Sequence, residues 1–326
     1  MPEFDLIEII RARTAQSRGD VVLGIGDDAA LLKPPAGQQL VACTDTLVAG
    51  VHFPQGTAPQ DLGWKSLAVN LSDLAAMGAT PAWAMLALTL PKADRRFVEA
   101  FADGFAQLAR AHAVNLVGGD TTQGPLSVTV SAFGFSPESR ALLRSGARVG
   151  DAVFVTGTLG DAAAALRLMQ DSGLGTRDPS NEQARSELLL RLNRPEPRIA
   201  AGLALRDVAS ACIDVSDGLL ADLGHICEAS GMGAVVEADA LPLSSAMLAL
   251  FEADERRAFA LSGGDDYELC FTASVDRSDR IAADFARLGF GAARIGRIVA
   301  ETGVRVRDAN GNAVEPPRRG WQHFAP

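Results

Sequence analysis

Gly24-Ile-Gly-Asp-Asp-Ala29 has the glycine spacing of a dinucleotide-binding turn, with Asp45 about twenty residues further on, where such a turn expects an acid. That turn should open a helix and leave a pyrophosphate beside bare backbone amides. Here two carboxylates, Asp27 and Asp28, occupy the spot, and a second apolar run, 29–32, follows directly. Without a bridging cation they repel a phosphate, so the spacing reads against the doubly wound dinucleotide fold. A P-loop is absent as well. Lys65-Ser66 follows Trp64 where that motif needs glycine, and neither Lys33 nor Lys92 has a glycine-rich lead.

The same small-residue and aspartate signature recurs along the chain. It returns at Thr44-Asp45-Thr46, Gly118-Gly119-Asp120-Thr121, Asp214-Val215-Ser216-Asp217-Gly218 and Gly263-Gly264-Asp265-Asp266, each placed by the sequence where an apolar strand ends. Asp73, in Asn70-Leu-Ser-Asp, is a further member. Any one of these is an ordinary turn or helix cap. Five of them, spread over both halves, suit hard-cation binding better. Magnesium prefers carboxylate and water oxygens and completes its shell with substrate phosphates. The four histidines and four scattered cysteines supply no zinc or iron set. His112 and His225 fall in helical patterns and read as structural.

The 326 residues are enough for two cores. Apolar residues make up 48% and charged residues 21%, the balance of a folded enzyme, and the net charge of −10 speaks against nucleic acid or an anionic membrane as partner. Positive charge is nearly all arginine, which suits bidentate phosphate recognition, since lysine occurs only at 33, 65 and 92. The acidic start is unlike a signal peptide, and the richest apolar run, 81–91, is too short to cross a membrane. A cytoplasmic protein with buried free thiols at Cys43, Cys212, Cys227 and Cys270 is expected.

Short apolar runs predict strands over 21–23, 40–43, 84–90, 115–117 and 126–135. Helical spacing predicts helices over 61–77, through Trp64, Leu67, Leu71 and Leu74, and over 94–112, through Phe97, Phe101, Phe105 and Leu108. A Ser-Pro turn and an arginine-rich stretch, 136–150, mark the boundary between domains 1–138 and 139–326. Beyond it the pattern predicts strands at 152–156, 211–214, 234–237, 267–272, 292–299 and 304–307, and helices at 161–171, 198–209 and 217–229. The polar stretch 174–185 reads as an exposed loop. The fold class is α+β: two domains, each with helices on one face of a mixed sheet.

The motifs, in order, are Gly24-Ile-Gly-Asp-Asp-Ala-Ala30, Thr44-Asp-Thr-Leu-Val-Ala-Gly50, His52-Phe53, Ala68-Val-Asn-Leu-Ser-Asp-Leu-Ala-Ala-Met-Gly78, Gly118-Gly-Asp-Thr-Thr122, Arg144-Ser-Gly-Ala147, Asp214-Val-Ser-Asp-Gly218 and Ser262-Gly-Gly-Asp-Asp-Tyr-Glu268. As a set, covering nearly the whole chain, they resemble the thiamine-monophosphate kinase family of the aminoimidazole-ribonucleotide synthetase superfamily. The resemblance implies an N-terminal mixed sheet that pairs with its twin in a dimer barrel, and a C-terminal α/β domain. It implies ATP-dependent phosphorylation of thiamine monophosphate by a homodimer using several magnesium ions. It places Asp28, Cys43, Thr44, Asp45, Asp73, Asp120, Asp214 and Asp217 at the metals. Cys43 stands where relatives can have serine, leaving its backbone oxygen as a donor. The nucleotide would meet Gly119, Asp120, Arg144 and Ser216; the acceptor would meet His52, Asp265 and Trp321. Asp45, Asp120 and Arg144 would carry the chemistry. Asp265 is one methylene shorter than the glutamate that relatives often carry there. Two other readings compete: a sister enzyme of the superfamily acting on another small molecule, and a nucleotide or thiamine sensor without turnover.

Overall fold

Asp94 shows how local chemistry sets an element boundary: its side chain accepts hydrogen bonds from the backbone N–H groups of Arg96 and Phe97 and so caps the helix that follows. In the computed structural model, which describes residues 2–170, 181–316, 318, 320 and 321, two units emerge. The first takes the residues up to Leu74 together with Ala79–Ala141; the second takes Ala75–Gly78 and the residues from Leu142 onward.

The first unit contains α1 (Glu3–Thr14), β1 (Val21–Leu23), β2 (Leu31–Leu32), β3 (Gln38–Val48), most of α2 (Pro59–Ala76), β4 (Thr80–Leu90), α3 (Arg95–Ala111), β5 (Asn115–Gln123) and β6 (Ser127–Pro137). A four-stranded sheet runs in the order β3-β6-β4-β5, with β4 and β5 parallel and the rest antiparallel. The expected stripes are buried: Leu67, Leu71 and Leu74 of α2 and Phe101, Phe105 and Leu108 of α3. On the other face Leu40, Ala42, Thr44 and Thr46 of β3 and Met85 and Ala87 of β4 are exposed. After the glycine turn the chain forms β2, which pairs with β1 as a two-stranded hairpin. No helix follows there; the second apolar run supplies a strand instead.

The second unit contains β7 (Ala152–Thr156), α4 (Asp161–Gln170), α5 (Glu182–Asn193), α6 (Ile199–Leu205), β8 (Ala211–Asp214), α7 (Leu219–Ser230), β9 (Gly233–Glu237), α8 (Ser245–Leu250), α9 (Ala253–Ser262), β10 (Leu269–Ala273), α10 (Ser278–Arg287), β11 (Ala292–Val299) and β12 (Gly303–Arg307). Its six-stranded sheet has the order β12-β9-β11-β7-β10-β8, and only β12 and β9 are parallel. Val153, Val155, Ile213 and Cys270 pack with Leu219, Leu223 and Ile226 of α7. One residue along the strands, Phe154 stacks on Phe271, whose ring meets Phe285 of α10. Helices therefore cover both faces of this sheet, not one, because its central strands are apolar on both sides.

Four further expectations change. Residues 182–185 open α5 rather than lying in a loop, and 174–180 fall outside the described residues. The helix expected over 198–209 ends at Leu205, where the N–H groups of Val208 and Ala209 both turn back to its carbonyl. The helix expected from 217 starts at Leu219, because Gly218 has φ 114° and cannot be helical. The strand expected from 267 starts at Leu269. Among the described residues no helix is long and apolar enough to cross a membrane. All four cysteines are free, with Cys212, Cys227 and Cys270 buried.

Candidate active site

Asp45 and Asp120 lie inside strands, not in loops after them. The ladder between β3 and β6 runs unbroken from Gln38 to Val48, and β5 extends to Gln123. Backbone pairing does not depend on side-chain polarity, so an apolar run ends well before its strand does. Alternation then sorts the side chains. Cys43 faces α2, donating its S–H to the Asn70 carbonyl at 3.3 Å. Asp45, two residues on, bonds to Asp73 of the same helix. Burial pushes the Asp45 carboxyl above the usual carboxylate range, and the bond to Asp73 partly offsets this. Burial, and then the charges of Asp73 and Asp45, push the Cys43 thiol far up, so it is not a thiolate.

Thr44 points to the opposite face, where its hydroxyl lies 3.0 Å from Ser131 Oγ and donates to the Val130 carbonyl. Asp120 stands in register with Ala87 and Thr129, whereas Asp45 shares its row with Val130, Leu86 and Gly119. Within one chain, therefore, Cys43, Asp45 and Asp73 converge, while Thr44 and Asp120 face the open side of the sheet. Gly119 has φ 151°, and a Cβ there would sit 1.8 Å from the Leu86 carbonyl, so only glycine lets the two strands close. Asp28 is exposed, its N–H turned onto the Asp27 carboxylate at 2.9 Å. The Val48 N–H donates to His52 Nδ1 at 3.0 Å, which places the imidazole proton on Nε2.

In the second unit three loops are stitched through their backbones. The N–H groups of Asp265 and Tyr267 donate to the carbonyls of Ser216 (2.9 Å) and Val215 (2.8 Å), and the Trp321 N–H donates to the Asp217 carbonyl at 2.9 Å. Asp214, Ser216, Asp217, Asp265 and Trp321 are thereby brought together. Arg144 is exposed, and the neighbouring Leu143 carbonyl accepts from Cys212, two residues before Asp214. Trp321, half exposed, lines a cavity of about 270 Å³ with Phe259, Leu166, Arg167, Gly263 and Gly264.

Asp222, outside the motif residues that the sequence singles out, organises the segment leading into α7. Its Oδ2 accepts the N–H groups of Ser216, Asp217 and Gly218 at 3.0, 3.0 and 3.1 Å, filling the donors at the start of α7. Burial, then the charges of Asp214 and Asp217, raise its carboxyl to about 7. The available signal was an acid in the first turn after Gly218. Beneath the loop that carries Asp265, the fully buried Glu268 accepts from Arg191 Nη2 (2.6 Å), Arg198 Nη2 and Nε (2.6 and 2.7 Å) and Thr156 Oγ1 (2.6 Å). Burial opposes its ionisation, but Arg198 and Arg191 outweigh burial and hold its carboxyl below the usual range.

The donor set fits a hard cation. Two carboxylates share a half-buried face at Asp45 and Asp73, and three crowd the start of α7. Among the described residues no three His, Cys, Asp or Glu side chains already form a metal-sized cluster. Such an ion would therefore take further ligands from backbone, water or phosphate.

Two domains of mixed helix and sheet, with aspartates on their strands and strand-following loops and no P-loop, are those of an aminoimidazole-ribonucleotide synthetase-type protein. Residues 26–136 match the AIR synthase related protein N-terminal domain and residues 148–309 its C-terminal domain. The chain is 51% identical over 327 residues to the thiamine-monophosphate kinase of Salmonella typhimurium, covering 99% of this chain and 98% of that protein. The crystal structure of thiamine-monophosphate kinase from Stenotrophomonas maltophilia K279a superposes with a TM-score of 0.88 at 54% identity, over 96% of this chain and 98% of the other. AaThiL, solved in complex with AMPPCP and TMP, superposes at 0.77 with 33% identity, over 99% and 97% of the two chains. The chain belongs to the thiamine-monophosphate kinase family.

Proposed function

We propose that this protein transfers the γ-phosphoryl group of ATP to the phosphate of thiamine monophosphate, giving thiamine diphosphate and ADP. The observation that carries the reading is 51% identity to a thiamine-monophosphate kinase along essentially the whole chain. Whole-length identity of this order favours that reaction over a sister chemistry or a sensor.

The residues suit the reaction. The acceptor is a phosphate monoester whose second pKa is about 6, so it is already a dianion at neutral pH and no general base has to deprotonate it. The obstacle is repulsion between two polyanions. Magnesium, when bound, supplies the positive charge that offsets it and aligns donor with acceptor. Asp28, Thr44, Asp45, Asp73, Asp120, Asp214 and Asp217, with the Cys43 backbone oxygen, would hold the ions. Gly119, Asp120 and Ser216 meet the nucleotide, and Arg144, exposed beside β8, pairs with its phosphates. His52, Asp265 and Trp321 meet the acceptor: the half-exposed indole offers a face to the cationic thiazolium or the pyrimidine. Residues 1–138 form the metal-binding, nucleotide-binding and dimerisation domain, and 139–326 form the C-terminal α/β domain.

The exposed face of β3, β6 and β4, with Leu40 and Met85 about half exposed, is the surface that a second copy covers. Thr44 and Asp120 on that face then lie near the interface. The protein works in the cytoplasm, with ATP and thiamine monophosphate as its small-molecule partners and neither nucleic acid nor membrane among them. Incubation with ATP, magnesium and thiamine monophosphate, followed by chromatography, should yield thiamine diphosphate. Tight binding of both substrates without product would favour the sensor instead.

A further inference from the structure

Two residues of the acceptor loop, Asp265 at φ 68° and Tyr267 at φ 50°, adopt the left-handed backbone that bulky side chains avoid. Such conformations persist only where the surroundings over-determine them. Here the surroundings do so from three sides. The two N–H groups are bonded to Ser216 and Val215, and the Val215 N–H returns to the Glu268 carbonyl at 2.8 Å. Between them, the wholly buried Asp266 accepts the Gly160 N–H at 2.7 Å. Below them, Glu268 is clamped by Arg191, Arg198 and Thr156, and Thr156 Oγ1 also accepts the Leu269 N–H at 2.8 Å.

The strained backbone brings two side chains together that an extended strand would also place on one face, but further apart. The Tyr267 hydroxyl donates to Asp265 Oδ1 at 2.9 Å. The tyrosine is 8% exposed, whereas Asp265 reaches the surface of the site. We infer that Tyr267 is a positioning residue for the acceptor: its phenol fixes the direction of the Asp265 carboxylate toward the bound thiamine moiety. This rests on the reading of Asp265 as an acceptor contact. A hydroxyl is needed because a carboxylate on a short side chain has only two torsions, and one strong bond from the buried side orients it. The clamp on Glu268 acts one step further away, by keeping the loop in its left-handed form.

The test uses full-length Tyr267→Phe, Asp265→Ala and the double variant, with thiamine monophosphate varied at saturating ATP and the reverse. Losing one hydrogen bond to a charged group should raise KM for thiamine monophosphate about tenfold in Tyr267→Phe. KM for ATP should stay within about twofold, and the hydroxyl should matter no further once Asp265 is alanine. Tyr267 is the only tyrosine of the chain, so the tyrosine Raman doublet reports this one phenol. It should show a hydrogen-bond donor in the wild type and lose that character in Asp265→Ala. An acceptor defect in Asp265→Ala with none in Tyr267→Phe, additive losses, or an unchanged doublet would overturn the inference and leave the role of Asp265 standing. Normal acceptor kinetics in Asp265→Ala would overturn both.

Discussion

A carboxylate lowered into a half-buried pocket beside another acid needs a proton or a cation, and Asp45 is in that position. Burial raises its carboxyl, Asp73 is bonded to it, and the nearby Cys43 stays a neutral thiol. Asp45→Asn keeps the shape and removes the charge, so turnover should fall by about a hundredfold or more, in the range seen when one electrostatic partner of a transition state is removed. Asp120→Asn should behave alike, with thermal midpoints of both variants close to wild type. Near-normal turnover in both would place the metals elsewhere. These acids were legible in the sequence as acids, but their directions were not. Strand alternation turns Thr44 away from its neighbours, and that became visible only with the β3–β6 register. Tyr267 is legible as a motif residue, but its contact with Asp265 is not, because that depends on two left-handed residues that no composition rule foretells.

Elements bounded by turn residues were read closely, as with β7, β8 and β11 at 152–156, 211–214 and 292–299. α1 was missed because only Leu6, Ile10 and Thr14 of its twelve residues are buried, a stripe too thin to stand out in an acidic segment. α7 starts two residues later than its acidic lead suggests, because Gly218 at φ 114° cannot be helical and the N–H groups of Asp217 and Gly218 go to a side chain inside the helix, Asp222. That arrangement has a pH signature. The Asp222 carboxyl sits at about 7, above the ordinary value of 3.8, so the fold favours its protonated form. Its contribution to stability is full below the ordinary value and is lost as pH rises through about 7. Asp222→Asn keeps an oxygen for the three N–H groups and drops the charge. In magnesium-free buffer the melting temperature of the variant, minus that of the wild type, should rise as pH goes from about 5 to about 8. A difference that stays flat with pH would show that Asp222 does not titrate in this range.

Across the whole molecule the two-domain plan was legible because both halves repeat the same grammar of short apolar strands and small-residue acidic segments. The two-sided cover of the second sheet was not, since an apolar strand reads the same whether one face or both are buried. The exposed sheet face of the first unit carries the expectation of a homodimer. Placing charges there, with Leu40→Asp and Met85→Asp together, should convert a sedimenting dimer into a folded monomer with unchanged circular dichroism. A wild type that sediments as a monomer would remove that interface. The central claim is tested most directly by following the terminal phosphate of ATP. With ATP labelled in its γ-phosphate, magnesium and thiamine monophosphate, the label should appear in the terminal phosphate of thiamine diphosphate, one for each ADP formed. Label released as inorganic phosphate, or retained in ATP while thiamine monophosphate stays bound, would contradict it.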